Sequence, residues 1–115
     1  MKVAVIGSRS ITNFDLAEFL PKDTTEIVSG GASGVDTVAQ KYADKTGIPI
    51  KVFRPKYELY PGKRAPLERN LEIIDYADLV LAFWDGKSRG TKFVIENCKK
   101  MGKPVKIFLP DESKG

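Results

Sequence analysis

Five short apolar runs alternate along the chain with four stretches of helical periodicity. The runs are Val3–Ile6, Ile27–Val28, Ile50–Phe53, Leu79–Phe83 and Val105–Leu109. Rich in β-branched residues and closed by glycine or proline, they predict strands. Between them, Val35, Val38, Ala39, Tyr42 and Ala43 share one helical face. Leu67, Leu71 and Ile74 share a second, and Val94, Cys98 and Met101 a third. A shorter helix is expected ahead of the second run. There Thr12 and Asp15 suggest a capping box, Phe14, Ala17 and Leu20 face inward, and Pro21 follows the helix end.

Strict alternation of strand and helix implies a parallel sheet covered on both faces, an α/β three-layer arrangement of Rossmann-like type. The runs Val3–Ile6 and Leu79–Phe83 are apolar throughout, as central strands should be. The third and fifth carry Lys51 and Lys106 between apolar neighbours, which suits edges. The order 3-2-1-4-5 satisfies both observations and the right-handed crossover rule. It also opens a crevice at the carboxyl ends of strands 1 and 4, where the winding reverses.

Three loops converge on that crevice. They are Gly7-Ser8-Arg9-Ser10, Ser29-Gly30-Gly31-Ala32-Ser33-Gly34, and Trp84-Asp85-Gly86-Lys87-Ser88-Arg89-Gly90-Thr91. The second joins a strand to a helix starting near Val35, and the third joins one starting near Thr91. Glycines allow close backbone approach, and a helix N-terminus offers free N–H groups to a phosphate. Asp36, in the first turn, suits either the helix dipole or a ribose hydroxyl. Trp84 is placed to stack a base or to cap the core edge, and spacing does not choose. A P-loop ending at Gly86-Lys87-Ser88 would need its first glycine at Leu81, and no G-x-G-x-x-G follows Gly7.

Composition narrows the chemistry. The 115 residues fit one domain, expected over residues 1–110 with 111–115 as a flexible tail. No histidine and a single Cys98 exclude His-based nucleophilic pairs, Cys-cluster metal sites and an internal disulfide. No metal or resident cofactor is expected. No stretch is long enough to span a bilayer, and Met1 leads straight into a strand. A cytoplasmic protein with neither membrane anchor nor signal peptide is expected. The net charge of +4 favours an anionic partner only as far as any lysine-rich surface does. The connection from Arg54 to Pro66 concentrates Lys56, Lys63 and Arg64, and Arg69 and Asn70 follow it.

Taken together, four ordered motifs resemble those of the SLOG superfamily, in particular its small stand-alone YspA/YpsA-like branch. They are Gly7-Ser8-Arg9, Ser29 to Asp36, Gly62-Lys63-Arg64-Ala65 with Arg69-Asn70, and Trp84 to Thr91. The resemblance implies a crevice for a nucleotide-related ligand, of ADP-ribose, NAD or nucleoside-phosphate type. The contacts would come from Gly7, Ser8, Arg9, Gly30 to Gly34, Asp36, Lys63, Arg69, Asn70, Trp84, Asp85, Gly86, Ser88, Gly90 and Thr91. Binding or sensing is the leading expectation.

The LOG-type phosphoribohydrolases of this superfamily imply a second, N-glycosidic hydrolysis. Arg69 looks like their catalytic arginine and Gly90-Thr91 like their Gly-Thr. Lys92, Phe93 and Val94 occupy the turn where their glutamate stands, and Glu96 lies more than one turn beyond Thr91. Asp36 and Asp85 are the candidate replacements. The DprA branch implies single-stranded DNA binding, with Lys51, Lys56, Lys63, Arg64 and Arg69 as a basic track. LOG-type relatives also imply a homo-oligomer, toward which Phe93 and Tyr76 are candidate exposed positions.

Overall fold

The computed structural model describes residues 1–31 and 34–109. The expected tail, 111–115, and the loop residues Ala32 and Ser33 lie outside the described residues. Strands β1 (Lys2–Gly7), β2 (Glu26–Ser29), β3 (Ile50–Val52), β4 (Leu79–Phe83) and β5 (Val105–Phe108) form one sheet. Every pairing is parallel, and the order is β3-β2-β1-β4-β5. Lys51 and Lys106 stand exposed on the two edge strands, which spares the sheet a buried ammonium.

Side chains along a strand alternate between faces, and β1 feeds both layers of the core. Val3 and Val5 pack with Ile27, Leu81, Phe83 and the inner face of helix α1 (Val35–Thr46). Ala4 and Ile6 pack on the other face with Val28, Val80 and helices α2 (Arg64–Tyr76) and α3 (Arg89–Met101). Ala39 and Ala43 of α1 are buried against the sheet. No helix among the described residues is long and apolar enough to cross a membrane.

The structure corrects the periodicity reading in three places. The helix expected around Phe14–Leu20 is one 3-10 turn, Leu16–Glu18, capped by Asp15 rather than Thr12. Asp15 accepts from the Ala17 amide at 3.1 Å; Ala17 faces out, and Leu16 takes the buried place instead. Phe14 and Phe19 fill this layer by ring contact with Phe83, at centroid distances of 4.4 and 5.2 Å. Leu67 and Met101, expected inside, are exposed, the first of them at the crevice. Phe93 and Tyr76, candidates for an exposed face, are half-buried against the α2/α3 layer.

Candidate functional site

The reversal of winding between β1 and β4 places Gly7 opposite Phe83 at the carboxyl edge of the sheet. A cleft of about 550 Å³ opens there. Its floor is apolar, with Ile6 and Val94, and its rim is built from loops and helix ends.

The loops are locked together by contacts that tolerate no side chain. A Cβ on Gly7 would stand 2.3 Å from the Phe83 carbonyl oxygen and 2.7 Å from Val35 Cγ2. Gly34, at φ +75°, would press a Cβ within 2.6 Å of the Arg9 backbone. Both demands, left-handed backbone and contact with another chain segment, select glycine. The buried Ser29 hydroxyl accepts from the Gly31 amide at 3.2 Å and turns the chain out of β2.

Asp85 organises the third loop. Its Oδ1 accepts from the amides of Lys87 and Ser88 at 2.8 Å each, and its Oδ2 from the Ser10 hydroxyl at 2.9 Å. The Asp85 amide in turn donates to Ser8 Oγ at 3.0 Å, so the loops after β1 and β4 are tied at two points. The backbone bonds from Lys87 and then Ser88 hold the Asp85 carboxyl down to about 2. It is therefore ionised at neutral pH, and it is a hydrogen-bond acceptor rather than a proton donor.

At the start of α3, Ser88 caps the Thr91 amide at 3.3 Å. That leaves the Arg89 and Gly90 amides without an intrahelical acceptor, since the first turn of any helix has none. Gly90 lines the cleft, and a Cβ there would meet nothing within 4 Å. Neither packing nor backbone angle requires glycine at this position. An open cleft in front of free amides at a positive helix end suits an anion.

Across the cleft, Arg69 of α2 is half-buried rather than solvated. Its Nη1 donates to the Gly30 carbonyl at 2.7 Å and to the Phe53 carbonyl at 3.3 Å, and its Nε to Asn70 Oδ1 at 2.8 Å. Burial pulls the guanidinium below its ordinary value, while Asp36 and Tyr57 act in the opposite direction. Arginine keeps its charge through such shifts. Asp36 is buried in the first turn of α1, not on the surface, and it lines the cleft. Arg69 Nη1 and Asp36 Oδ2 both approach Gly30, at 2.8 and 3.2 Å from where a Cβ would stand.

Of the sequence-predicted residues, Gly7, Arg9, Gly30, Asp36, Arg69, Asn70, Asp85, Ser88, Gly90 and Thr91 line one cleft. Ser8 and Gly34 shape it from behind. Gly31, Lys63 and Gly86 are exposed and outside its lining; half-buried Trp84 is outside it too. Trp84 packs on the α2/α3 layer and donates from Nε1 to the Ser88 carbonyl at 3.0 Å, so it caps the core edge. Glu96 is exposed and also outside the lining; Asp36 and Asp85 are the carboxylates of the cleft among the described residues. Pro66, Leu67 and Ser10 line it too and were not among the expected contacts, although Ser10 belongs to a loop expected at the crevice. The Ser10 position was readable from its place in the loop after β1. No group of three metal-ligating side chains occurs among the described residues.

The chain is 34% identical over 88 residues to the "Gene 61 protein" of Mycobacterium phage D29. The match covers 71% of this chain and 70% of the phage protein. No protein-family model matches the chain, and no solved structure matches it significantly.

Proposed function

This chain belongs to the family of the Gene 61 protein of Mycobacterium phage D29, and we propose that it binds or senses a nucleotide-derived phosphate ligand in the β1/β4 cleft. The relative's name carries no activity, so the reading rests on the site. The observation that carries it is the open space at Gly90 before the free amides of α3. The phosphate sits there, with Arg9 and Arg69 as counter-charges. Pro66 and Leu67 add an apolar wall, which suits a base better than it suits a bare phosphate. Asp36 and Asp85 offer acceptors to sugar hydroxyls. The proposal includes membership of the SLOG superfamily and a cytoplasmic setting, in keeping with the single buried Cys98.

A thermal-shift series with nucleoside phosphates, ADP-ribose and NAD tests this. A ligand at a hundred times its dissociation constant stabilises the fold by about 2.7 kcal/mol. No shift with any of them defeats the proposal.

One observation favours a second reading, N-glycosidic hydrolysis. Arg69 and buried Asp36 converge on Gly30, so a cation and a carboxylate stand close together beside the ligand. A carboxylate near the sugar can stabilise an oxocarbenium-like centre. Release of free base from bound nucleotide, lost in Asp36→Asn, supports this reading; binding without release rules it out. For the DprA-like alternative, single-stranded DNA binding, affinity falls by roughly 0.7 log unit per log unit of salt for each phosphate contacted. A flat salt response rules that out.

A further inference from the structure

We propose that Arg54, which stands beside the cleft and outside its lining, is a second anion-binding arm, and that the ligand is accordingly a nucleoside diphosphate or another pyrophosphate-bearing nucleotide. This rests on the nucleotide reading above and specifies the ligand class. Arg54 follows Phe53, whose carbonyl accepts from Arg69. Its Nη1 lies 3.1 Å from where a Gly31 Cβ would stand, while Arg69 Nη1 lies 2.8 Å from the same point on Gly30. Two guanidinium groups thus rest on consecutive residues, whose Cα atoms are about 3.8 Å apart.

Several cations of this region face carboxylates. Lys56 pairs with Glu72 at 3.2 Å and Arg64 with Glu68 at 3.8 Å, and Arg69 faces Asp36. Arg54 is exposed and has no carboxylate in ion-pair range among the described residues. A ligand with two anionic groups can engage two guanidinium groups at once. A guanidinium fork is shaped to take phosphate oxygens in pairs. One phosphate on the α3 amides uses Arg9 and the Arg69 side of the cleft; a second phosphate in the same ligand reaches Arg54 over the Gly30-Gly31 turn. Exposure of Arg54 means that its removal leaves the core untouched.

Calorimetric titration with matched mono- and diphosphates of the four common nucleosides tests this. The wild type is expected to prefer the diphosphate of the best-bound base by about tenfold or more, the scale of one charge-assisted contact. Arg54→Ala abolishes that preference and leaves the monophosphate affinity within about twofold, and Arg54→Lys restores part of it. Equal affinities for the two in the wild type, or a preference that survives Arg54→Ala, overturn the assignment of Arg54 while leaving the cleft reading intact. Failure of every mono- and diphosphate to bind overturns both.

Discussion

Arg69 Nη1 donates to the Gly30 carbonyl at 2.7 Å, across 39 positions of sequence. One side chain of α2 thereby fixes the glycine turn after β2, and its bond to the Phe53 carbonyl at 3.3 Å holds the end of β3 as well. The cleft wall is thus an architectural joint and a charged surface in one residue. Structure and binding should fail together when it is removed.

Arg69→Ala is expected to destabilise the fold by about 1–3 kcal/mol, the cost of leaving buried partners unsatisfied. The Gly30 carbonyl loses its donor and buried Asp36 loses its facing cation. Arg69→Lys keeps the charge without the fork, and should recover only part of the loss. The midpoint of urea unfolding at unchanged slope reads this out. A midpoint unaltered by Arg69→Ala contradicts the joint.

Gly90→Ala should behave in the opposite way. A Cβ meets nothing there, and alanine is better than glycine in a helical turn by up to about 1 kcal/mol. The variant is expected to match or exceed the wild type in unfolding midpoint. Clear destabilisation would mean that protein packing explains the glycine and that the open space is not reserved for a ligand.

Gly34→Ala separates the two kinds of glycine. Its backbone is at φ +75°, and a Cβ would lie 2.6 Å from the Arg9 backbone. Strain of this type costs on the order of 1–3 kcal/mol before the clash is counted. Expression and melting temperature beside Gly90→Ala give the comparison, and equal stability of the two variants contradicts the loop packing.

Asp85 sets an acid limit. Its folded-state value, about 2, lies below the ordinary 3.8, so the folded state favours the charged form. The stabilisation is present in full above the ordinary value and is lost as pH falls through it toward the folded one. Stability should therefore drop between about pH 4 and pH 2. Asp85→Asn, which keeps an oxygen for the Lys87 and Ser88 amides, should flatten part of that drop. Asp78, held low chiefly by the Lys2 amide, contributes to the rest. Urea midpoints across that range check it; identical pH profiles for wild type and Asp85→Asn contradict the role given to the loop.

Much of this was legible because the responsible features are local. Lys51 and Lys106 announce edge strands, since an ammonium inside the sheet is too costly, and the edges with the crossover rule leave one order. The glycine loops announce the crevice for the same reason. What stayed hidden depends on partners far away in sequence. An arginine on a helix reads as solvated until Gly30 and Phe53 are seen to accept from it. Leu67 reads as core because helical periodicity marks a face without saying whether sheet or cleft lies against it. Trp84 was ambiguous for want of one hydrogen bond, to the Ser88 carbonyl. The first crossover misled because its inward residues, Phe14, Leu16 and Phe19, pack without helical spacing.

The central claim is that the space before Gly90 holds a nucleotide phosphate. Calorimetric titration of wild type and Gly90→Val with the nucleotide panel tests it most directly, because a Cβ at this position meets nothing within 4 Å and the valine side chain starts in that open space. The account predicts saturable binding to the wild type and a loss of about tenfold or more in the variant, as expected when a close backbone approach is blocked. Equal binding to the two proteins, or none to the folded wild type, contradicts it.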